Sequence, residues 1–289
     1  MGEPEYPSAQ IPLPVSDLVA VERGDRILIS FGIAPRTTDG ALLKSVRGID
    51  LRAGATPIAV TAPEEPGHVS ASVPVRDFVG KQIVISERTL GPKNHYSEVS
   101  NRVTLDVLPP VAAPVDLAPK ATPDGVALSW SATGATSFRI FRRDENAKTP
   151  AQIGESKTAS YTDTTSEFDK HYEYWVQALH DKAESETTGP VSITPKDIFP
   201  PPAPTGLTAA IGVGTIELAW ERSVAPDLKT YVIYRAEGGG PMQKLAEADS
   251  PVYTDRAIKS GTTYRYAVSA VDQKNNESDK SATAEALAP

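Results

Sequence analysis

The side chains of this sequence that could act as nucleophiles, acids, bases or metal ligands are carboxylates, hydroxyls, lysines and four histidines, because the chain contains no cysteine. The lack of cysteine rules out disulfides, thiolate metal sites and cysteine nucleophiles. The patterns HExxH, GxSxG, GxGxxG and the phosphate-binding Walker loop do not occur. Glycosidase chemistry would need two carboxylates that converge on a cleft, and a row of sandwich repeats offers no obvious cleft.

The sequence offers few candidate sites of this kind. His171 and His180 would share a metal ion only if the chain between them folded back, so we expect solvated loop histidines. The acidic stretch 272–279 lacks the central glycine and the ligand spacing of a calcium loop, and a polar turn is expected there. Asp163 and Asp255 occupy equivalent turn positions, which favours a structural hydrogen-bonding role. We therefore expect no catalytic residue, no cofactor and no metal ion.

The equivalence of these aspartates belongs to an internal repeat between the middle and the end of the chain. Four segments recur at offsets of 90, 93, 92 and 92 residues; they are 126–130 with 216–220, 138–142 with 231–235, 161–163 with 253–255, and 172–178 with 264–270. Apolar and polar residues alternate within each segment, and β-branched and aromatic types dominate. No amphipathic helix is found. Short strands with regular turns predict antiparallel β-sandwiches.

Four aromatic residues make the repeat resemble the fibronectin type III family. Trp130 and Trp220 match the family's core tryptophan at the end of strand B. Tyr172 and Tyr264 match its tyrosine corner, whose hydroxyl bonds the backbone across the turn before strand F. The resemblance extends over 111–289 and is to bacterial versions of the family.

The first part of the chain resembles a divergent third copy. Residues 26–31 are similar to strand B, with Phe31 in place of tryptophan, and residues 81–86 are similar to strand F, with Ile83 in place of the corner tyrosine. The predicted fold is therefore all-β, with three consecutive fibronectin type III-like (immunoglobulin-like) antiparallel β-sandwiches in an extended row. The predicted segments are a polar N-terminal tail over 1–11 and domains over 12–109, 110–197 and 198–289. Proline-rich runs at 109–114 and 195–204 predict semi-rigid spacers.

The charge and hydrophobicity of the chain limit the classes of molecule that it could bind. With 29 basic and 37 acidic residues the net charge is −8, and the deficit is spread along the chain. Nucleic acid is an improbable partner because the concentrated basic footprint that phosphate requires is missing. No apolar run is long enough for a transmembrane segment. We expect a monomer whose partner is an unknown protein or a polysaccharide.

A contact surface is predicted on the second domain. Tyr172, Tyr174 and Val176 are expected to face inward. Because successive side chains of a strand point to opposite faces, Trp175 is expected to face outward. Phe141 points outward from strand C by the same logic. Because strands C and F are neighbours in this fold, the two aromatics are expected to share one face, flanked by Arg139 and Gln177. Tryptophan is enriched at binding hot spots, but an arginine stem or a neighbouring domain would equally cover it.

The tripeptide Arg23-Gly24-Asp25 is the sequence by which one fibronectin repeat engages integrins, from its F–G loop. Here it falls between strands A and B, where a charged turn with glycine suits a hairpin. We expect it to be functionally silent.

The resemblance implies a non-catalytic modular protein of the cell envelope or exterior, acting as a spacer, an adhesion module or a protein–protein interaction module. The alternative is an accessory, polysaccharide-associated module of a secreted carbohydrate-active enzyme. The first residues do not resemble a signal peptide, so either the protein is cytosolic or a targeting segment, such as one that ends at a lipid-anchoring cysteine, has been removed ahead of them.

Overall fold

The computed structural model describes residues 10–289, and the predicted tail over 1–11 lies outside them except for its last two residues. The chain divides into two compact units: residues up to 120 with 124–195, and 121–123 with 196–289. The first unit contains two hydrophobic cores and the second unit one. Each core lies between two layers of strands. The layers have three and four strands in the first and third sandwiches, and three and five strands in the second. None of the described residues forms a helix with the length and apolar character needed to cross a membrane.

The first sandwich contains seven strands and one short 3₁₀ turn at Val75–Asp77. Its strands are β1 (Val19–Arg23), β2 (Arg26–Gly32), β3 (Gly48–Ala53), β4 (Thr56–Ile58), β5 (His68–Pro74), β6 (Gln82–Leu90) and β7 (Val103–Asp106). One layer has the order β1–β2–β5 and the other β4–β3–β6–β7. The predicted strands B and F are confirmed as β2 and β6, and Phe31 and Ile83 both lie in the core.

The second sandwich repeats this pattern, with one extra strand because its last strand is split in two. Its strands are β8 (Val115–Thr122), β9 (Gly125–Ser131), β10 (Ser137–Asp144), β11 (Ala151–Ser156), β12 (Ser160–Asp163), β13 (Tyr172–His180), β14 (Ala183–Thr187) and β15 (Val191–Ile193). One layer is β12–β9–β8, and the other is β11–β10–β13 with both β14 and β15 against β13.

The third sandwich forms the core of the second unit. Its strands are β16 (Thr208–Gly212), β17 (Thr215–Ala219), β18 (Leu228–Glu237), β19 (Gln243–Ala248), β20 (Val252–Asp255), β21 (Thr263–Asp272) and β22 (Ala284–Leu287). The layers are β16–β17–β20 and β19–β18–β21–β22, which is the same strand order as in the first sandwich. The internal repeat in the sequence is therefore a repeat of topology.

The aromatic residues that match in the repeat occupy equivalent positions in the second and third cores. Trp130 and Trp220 are buried, each with 6% exposure. Trp130 packs edge-on against Phe138 with 5.1 Å between ring centroids, and Trp220 packs in the same way against Tyr231 with 5.3 Å. The predicted burial of both tryptophans is confirmed.

The tyrosine corners are also confirmed. The Tyr172 hydroxyl accepts a hydrogen bond from the backbone N–H of Glu167 at 3.0 Å, and the Tyr264 hydroxyl accepts one from Lys259 at the same distance. Each bond ties the start of strand F to the loop before it. A cationic side chain covers each ring, because Arg142 and Arg235 lie 4.9 and 5.0 Å from the ring centroids.

Within the first unit the two sandwiches are joined along their edges. Strand β1 pairs with β14 in parallel, with Arg23 opposite Glu184, and the Gly24 N–H donates to the Glu184 carbonyl at 2.8 Å. The result is one eight-stranded sheet in the order β11–β10–β13–β14–β1–β2–β5, with β15 also on β13. The extended row of three sandwiches stays a prediction.

Candidate contact surface

The four residues of the predicted contact surface lie on two adjacent strands of the second sandwich. In the pairing of β10 with β13, Phe141 stands directly opposite Trp175, and Arg139 stands opposite Gln177. Side chains opposite each other in an antiparallel pair share a face, so the four residues form two neighbouring rungs. The inward positions of β13 are buried in the core, which places these rungs on the outer face of the sheet.

The two aromatic side chains are less exposed than the sequence suggested. Trp175 and Phe141 are both half-buried. The guanidinium of Arg143 lies 6.0 Å from the Trp175 ring centroid and is ion-paired with Glu173, the residue opposite it on β13. The surface predicted from the sequence did not include Arg143, although the alternation that places Arg139 and Phe141 on the outer face places Arg143 there as well.

The other rung is engaged in a polar network. The Arg139 Nη1 atom lies 2.6 Å from Oε1 of Glu184. Gln177 is buried, and its amide donates to Oε2 of Glu184 at 3.3 Å and to the Ser185 carbonyl at 2.9 Å. Acceptors on β14 therefore hold the Gln177 side chain away from solvent, and its part in a contact surface stays a prediction. The open part of the face is the aromatic rung with Arg143.

The repeated aspartates hold their sandwiches together. Both oxygens of Asp163 are occupied: Oδ2 accepts from Tyr174 and Arg142, each at 2.8 Å, and Oδ1 accepts from the Thr165 backbone and hydroxyl. Asp255 accepts from Tyr266 and Arg235 at the same 2.8 Å. A carboxylate whose lone pairs are all bonded in a core has no free oxygen for chemistry.

The histidines do not converge. His171 and His180 lie at opposite ends of β13, roughly 30 Å apart at the rise of an extended strand. His171 bonds the Thr194 hydroxyl at 3.1 Å and His68 bonds the Ser70 hydroxyl at 3.3 Å. Their separation prevents a shared metal site.

Among residues 10–289, one group of side chains has the geometry to hold a metal ion. Carboxylate oxygens of Asp197, Asp227 and Asp272 lie within 4.8 Å of one another. Asp272 is buried, and its oxygens accept hydrogen bonds from the Lys274 backbone and from the backbone and amide of Asn276. The sequence did not reveal the group because its members come from three separate segments, two loops and the end of β21. The 272–279 stretch forms a polar turn, as predicted.

The Arg23-Gly24-Asp25 tripeptide forms the tight turn between β1 and β2. Gly24 has a positive φ of 56°, which glycine adopts at least cost. Arg23 donates from Nε and Nη2 to Oε2 of Glu184 at 3.1 and 2.8 Å, and the Asp25 carbonyl accepts from the Val75 N–H. The turn is thus a hairpin turn, as predicted, and its arginine is bound to the second sandwich.

Comparison with known sequences gives partial relatives. No family model matches the chain. It is 38% identical over 98 residues to the amylopullulanase of Thermoanaerobacter thermohydrosulfuricus, covering 33% of this chain and 6% of that protein. It is 26% identical over 188 residues to exoglucanase B of Cellulomonas fimi, covering 59% and 16%. A poly(3-hydroxybutyrate) depolymerase of Ralstonia pickettii is 35% identical over 85 residues, covering 29% and 16%. The chain thus spans at most 16% of the length of these relatives, and the amylopullulanase and exoglucanase matches are to single parts of glycoside hydrolases.

Solved structures that resemble the chain are fibronectin type III domain proteins. A Fn3-like protein from Clostridium thermocellum is 35% identical, with a TM-score of 0.28, and the match covers 32% of this chain and 96% of that one. The FN1-FN3 domains of chicken CNTN1 are 14% identical with a TM-score of 0.33, covering 96% and 99%. The chain itself is all-β, with layers in the strand order of an immunoglobulin-like sandwich.

Proposed function

We propose that the chain is a non-catalytic modular protein of bacterial type, with three consecutive fibronectin type III domains over 12–109, 110–197 and 198–289. It acts as a spacer, adhesion or protein–protein interaction module in the cell envelope or outside the cell. The best support is that its relatives carry names for unlike activities, on starch-type glucans, on cellulose-type glucans and on a polyester. The matched segments are only 6–16% of the length of these enzymes, whose activities differ, and this favours a role for the segments outside the catalytic step.

The comparisons favour one particular version of this function. Two of the three relatives are named for action on polysaccharides, so the second candidate is an accessory, polysaccharide-associated module of a secreted carbohydrate-active enzyme. The aromatic rung of Trp175 and Phe141 supports it, because a half-buried tryptophan on the outer face of a sheet offers an apolar platform. The ion pair of Arg143 with Glu173 beside it leaves little net charge, which suits a neutral polymer.

The first experiment separates a binding module from an enzyme. The purified chain is incubated with soluble starch, pullulan, amorphous cellulose and poly(3-hydroxybutyrate), and both released product and depletion of protein from solution are measured. We expect no product from any polymer. Turnover that persists through repeated purification would overturn the non-catalytic proposal.

The second experiment locates the binding. Trp175→Ala is compared with Tyr234→Ala, which removes the aromatic residue at the position equivalent to Phe141 in the third sandwich, where Ala267 stands opposite. If a polymer binds, Trp175→Ala should weaken binding about tenfold or more, since truncation of a hot-spot aromatic costs 2 kcal/mol or more, while Tyr234→Ala should not. No binding of any polymer by the unmodified chain would leave the spacer and protein-interaction candidates and reject the polysaccharide one.

A further inference from the structure

The junction between the first two sandwiches depends on a buried ion cluster around Glu184. This carboxylate, 10% exposed, receives Arg23 from the first sandwich at 2.8 Å and Arg139 from its own sandwich at 2.6 Å. Glu155 approaches the same Arg139 at 3.8 Å, and Gln177 donates to Glu184 from β13. Arg23 is the charged side chain of the first sandwich that pairs with Glu184 across the junction. The paired arrangement offsets the cost of burying the carboxylate, and removal of Arg23 would leave it short of a partner.

Glu22 precedes Arg23 and faces the other side of β1, into the junction. It is 3% exposed. One carboxylate oxygen accepts the Leu108 backbone N–H at 3.0 Å, and no hydrogen-bond donor among the described residues reaches the other oxygen, which is also buried. A buried carboxylate oxygen without a donor opposes ionisation of the group.

Within residues 10–289, no cationic side chain is bonded to Glu22. It lines a cavity of about 140 Å³ together with Leu105, Leu108 and the turn 181–183 of the second sandwich. The charged groups on that cavity are Asp106 from β7 and Asp181 and Lys182 from the β13–β14 turn. Lys182 is exposed and is not hydrogen-bonded to Glu22, and the two aspartates are of like charge.

We propose that this junction is a lock set by two carboxylates, closed when Glu184 is charged and Glu22 is neutral, so that the surrounding pH decides how firmly the first two sandwiches hold together. The two residues lie on the paired edge strands β1 and β14, and their side chains are on opposite faces of the sheet. Opening the junction would give Glu22 access to water and release Arg23 from Glu184.

The two carboxylates respond to pH in opposite directions. Burial acts to raise the pKa of Glu184, but the hydrogen bonds from Arg23 and Arg139 outweigh it and leave the pKa below the usual value. Its contribution is therefore present above the unfolded pKa and lost as pH falls through the folded one. Burial raises the pKa of Glu22, and the Leu108 bond only partly opposes this. Its contribution is present below the unfolded pKa and lost as pH rises through the folded one. The lock is tightest near the ordinary glutamate pKa, at about pH 4.3.

The test measures the junction itself. Because the chain has no cysteine, Val79→Cys and Lys148→Cys, both exposed and on different sandwiches, can carry a donor and an acceptor dye. We expect energy transfer to decrease between pH 5 and pH 8 in the otherwise unmodified chain. Glu22→Gln, which keeps the acceptor for Leu108 and removes the charge, should abolish this decrease. Glu184→Gln should reduce transfer throughout the range.

The control is Glu87→Gln, which removes another buried carboxylate of raised pKa that lies wholly within the first sandwich. It should leave the transfer profile unchanged. If Glu184→Gln does not fold, as judged by circular dichroism, Arg23→Gln breaks the same contact from its exposed side. A transfer profile that is flat from pH 5 to pH 8, or one that Glu22→Gln leaves unaltered, would overturn the proposal.

Discussion

The hydroxyl of Tyr174 donates a 2.8 Å hydrogen bond to Oδ2 of Asp163 in the interior of the second sandwich. Burial acts to raise the pKa of Asp163, but hydrogen bonds from Thr165, Arg142 and Tyr174 together lower it below the usual range. The pKa of Tyr174 is raised, first by burial and then by its bond to the charged aspartate. A charged carboxylate therefore ties strand β12 to β10 and β13, across the two layers.

Asp163→Asn should destabilise the second sandwich by about 3 kcal/mol, because Arg142, with a side chain only 14% exposed, loses a buried counter-charge. Urea denaturation at pH 7 measures the loss. Since the folded pKa of Asp163 is depressed, its contribution is present above the unfolded pKa of about 3.9 and is lost as pH falls through the folded value. The difference between the two proteins should therefore shrink in acid.

The matched control for this change is Asp144→Asn, which removes the exposed carboxylate on the other side of Arg142. An exposed ion pair contributes about 0–1 kcal/mol, so this variant should remain close to the unmodified chain. Equal losses for the two variants would show that burial of Asp163 is not the source of its effect.

Trp130→Ala and Trp220→Ala should each cost about 3–5 kcal/mol, because both rings are buried and pack edge-on against an aromatic neighbour. The measurement is again denaturant unfolding, monitored by circular dichroism because each change removes one of the three tryptophans and so alters the fluorescence signal. The two positions are equivalent in the repeat, so their costs should agree within about 1 kcal/mol. A loss below 1 kcal/mol at either site would contradict the burial argument.

The melting temperature should not change when EDTA is added, as expected from a sequence without a recognised metal motif. The place to look for a failure of this prediction is the group Asp197, Asp227 and Asp272. Thermal unfolding is compared in EDTA, in Ca²⁺ and in Mg²⁺, with Asp227→Asn as the variant. A rise of several degrees in Ca²⁺ that Asp227→Asn abolishes would prove the prediction wrong.

The Arg23-Gly24-Asp25 tripeptide should not support integrin-dependent cell adhesion. Its arginine is bound to Glu184, and its backbone is fixed in the β1–β2 turn. Cells are plated on the immobilised chain and on the Asp25→Glu variant, with an integrin-binding fibronectin fragment as the positive control. We expect equally low adhesion on both forms. Adhesion that Asp25→Glu removes would contradict this.

Much of the fold was predictable from the sequence because its repeat carries strong period-two alternation. Trp130, Tyr172 and their counterparts in the third sandwich have the burial and bonds expected of them. The divergent first sandwich was predictable as well, because Phe31 and Ile83 keep the apolar character of the positions they occupy.

What the sequence could not supply are contacts between separate segments. Glu184 is one acidic residue among many until β14 meets β1 and brings Arg23 to it. The burial of Gln177 has the same origin, since its acceptors come from a strand whose register is not visible in local periodicity. Local patterns predict the face on which a side chain lies, but not what a neighbouring edge places over it.

Trp175→Ala should cost only about 1 kcal/mol, in contrast to the core tryptophans. The ring is half-buried, and its identifiable contacts are the cross-strand pair with Phe141, worth about 0.2–1 kcal/mol, and the guanidinium of Arg143, worth about 0.5–1 kcal/mol. Unfolding of Trp175→Ala, Phe141→Ala and the double variant, treated as a double-mutant cycle, measures the coupling directly. A coupling of a few tenths of a kcal/mol, with wild-type near-ultraviolet signals from the other tryptophans, is expected for an accessible aromatic pair. A cost of 3 kcal/mol or more for Trp175→Ala alone would mean that the ring is a core element, and the contact surface would then have no aromatic anchor.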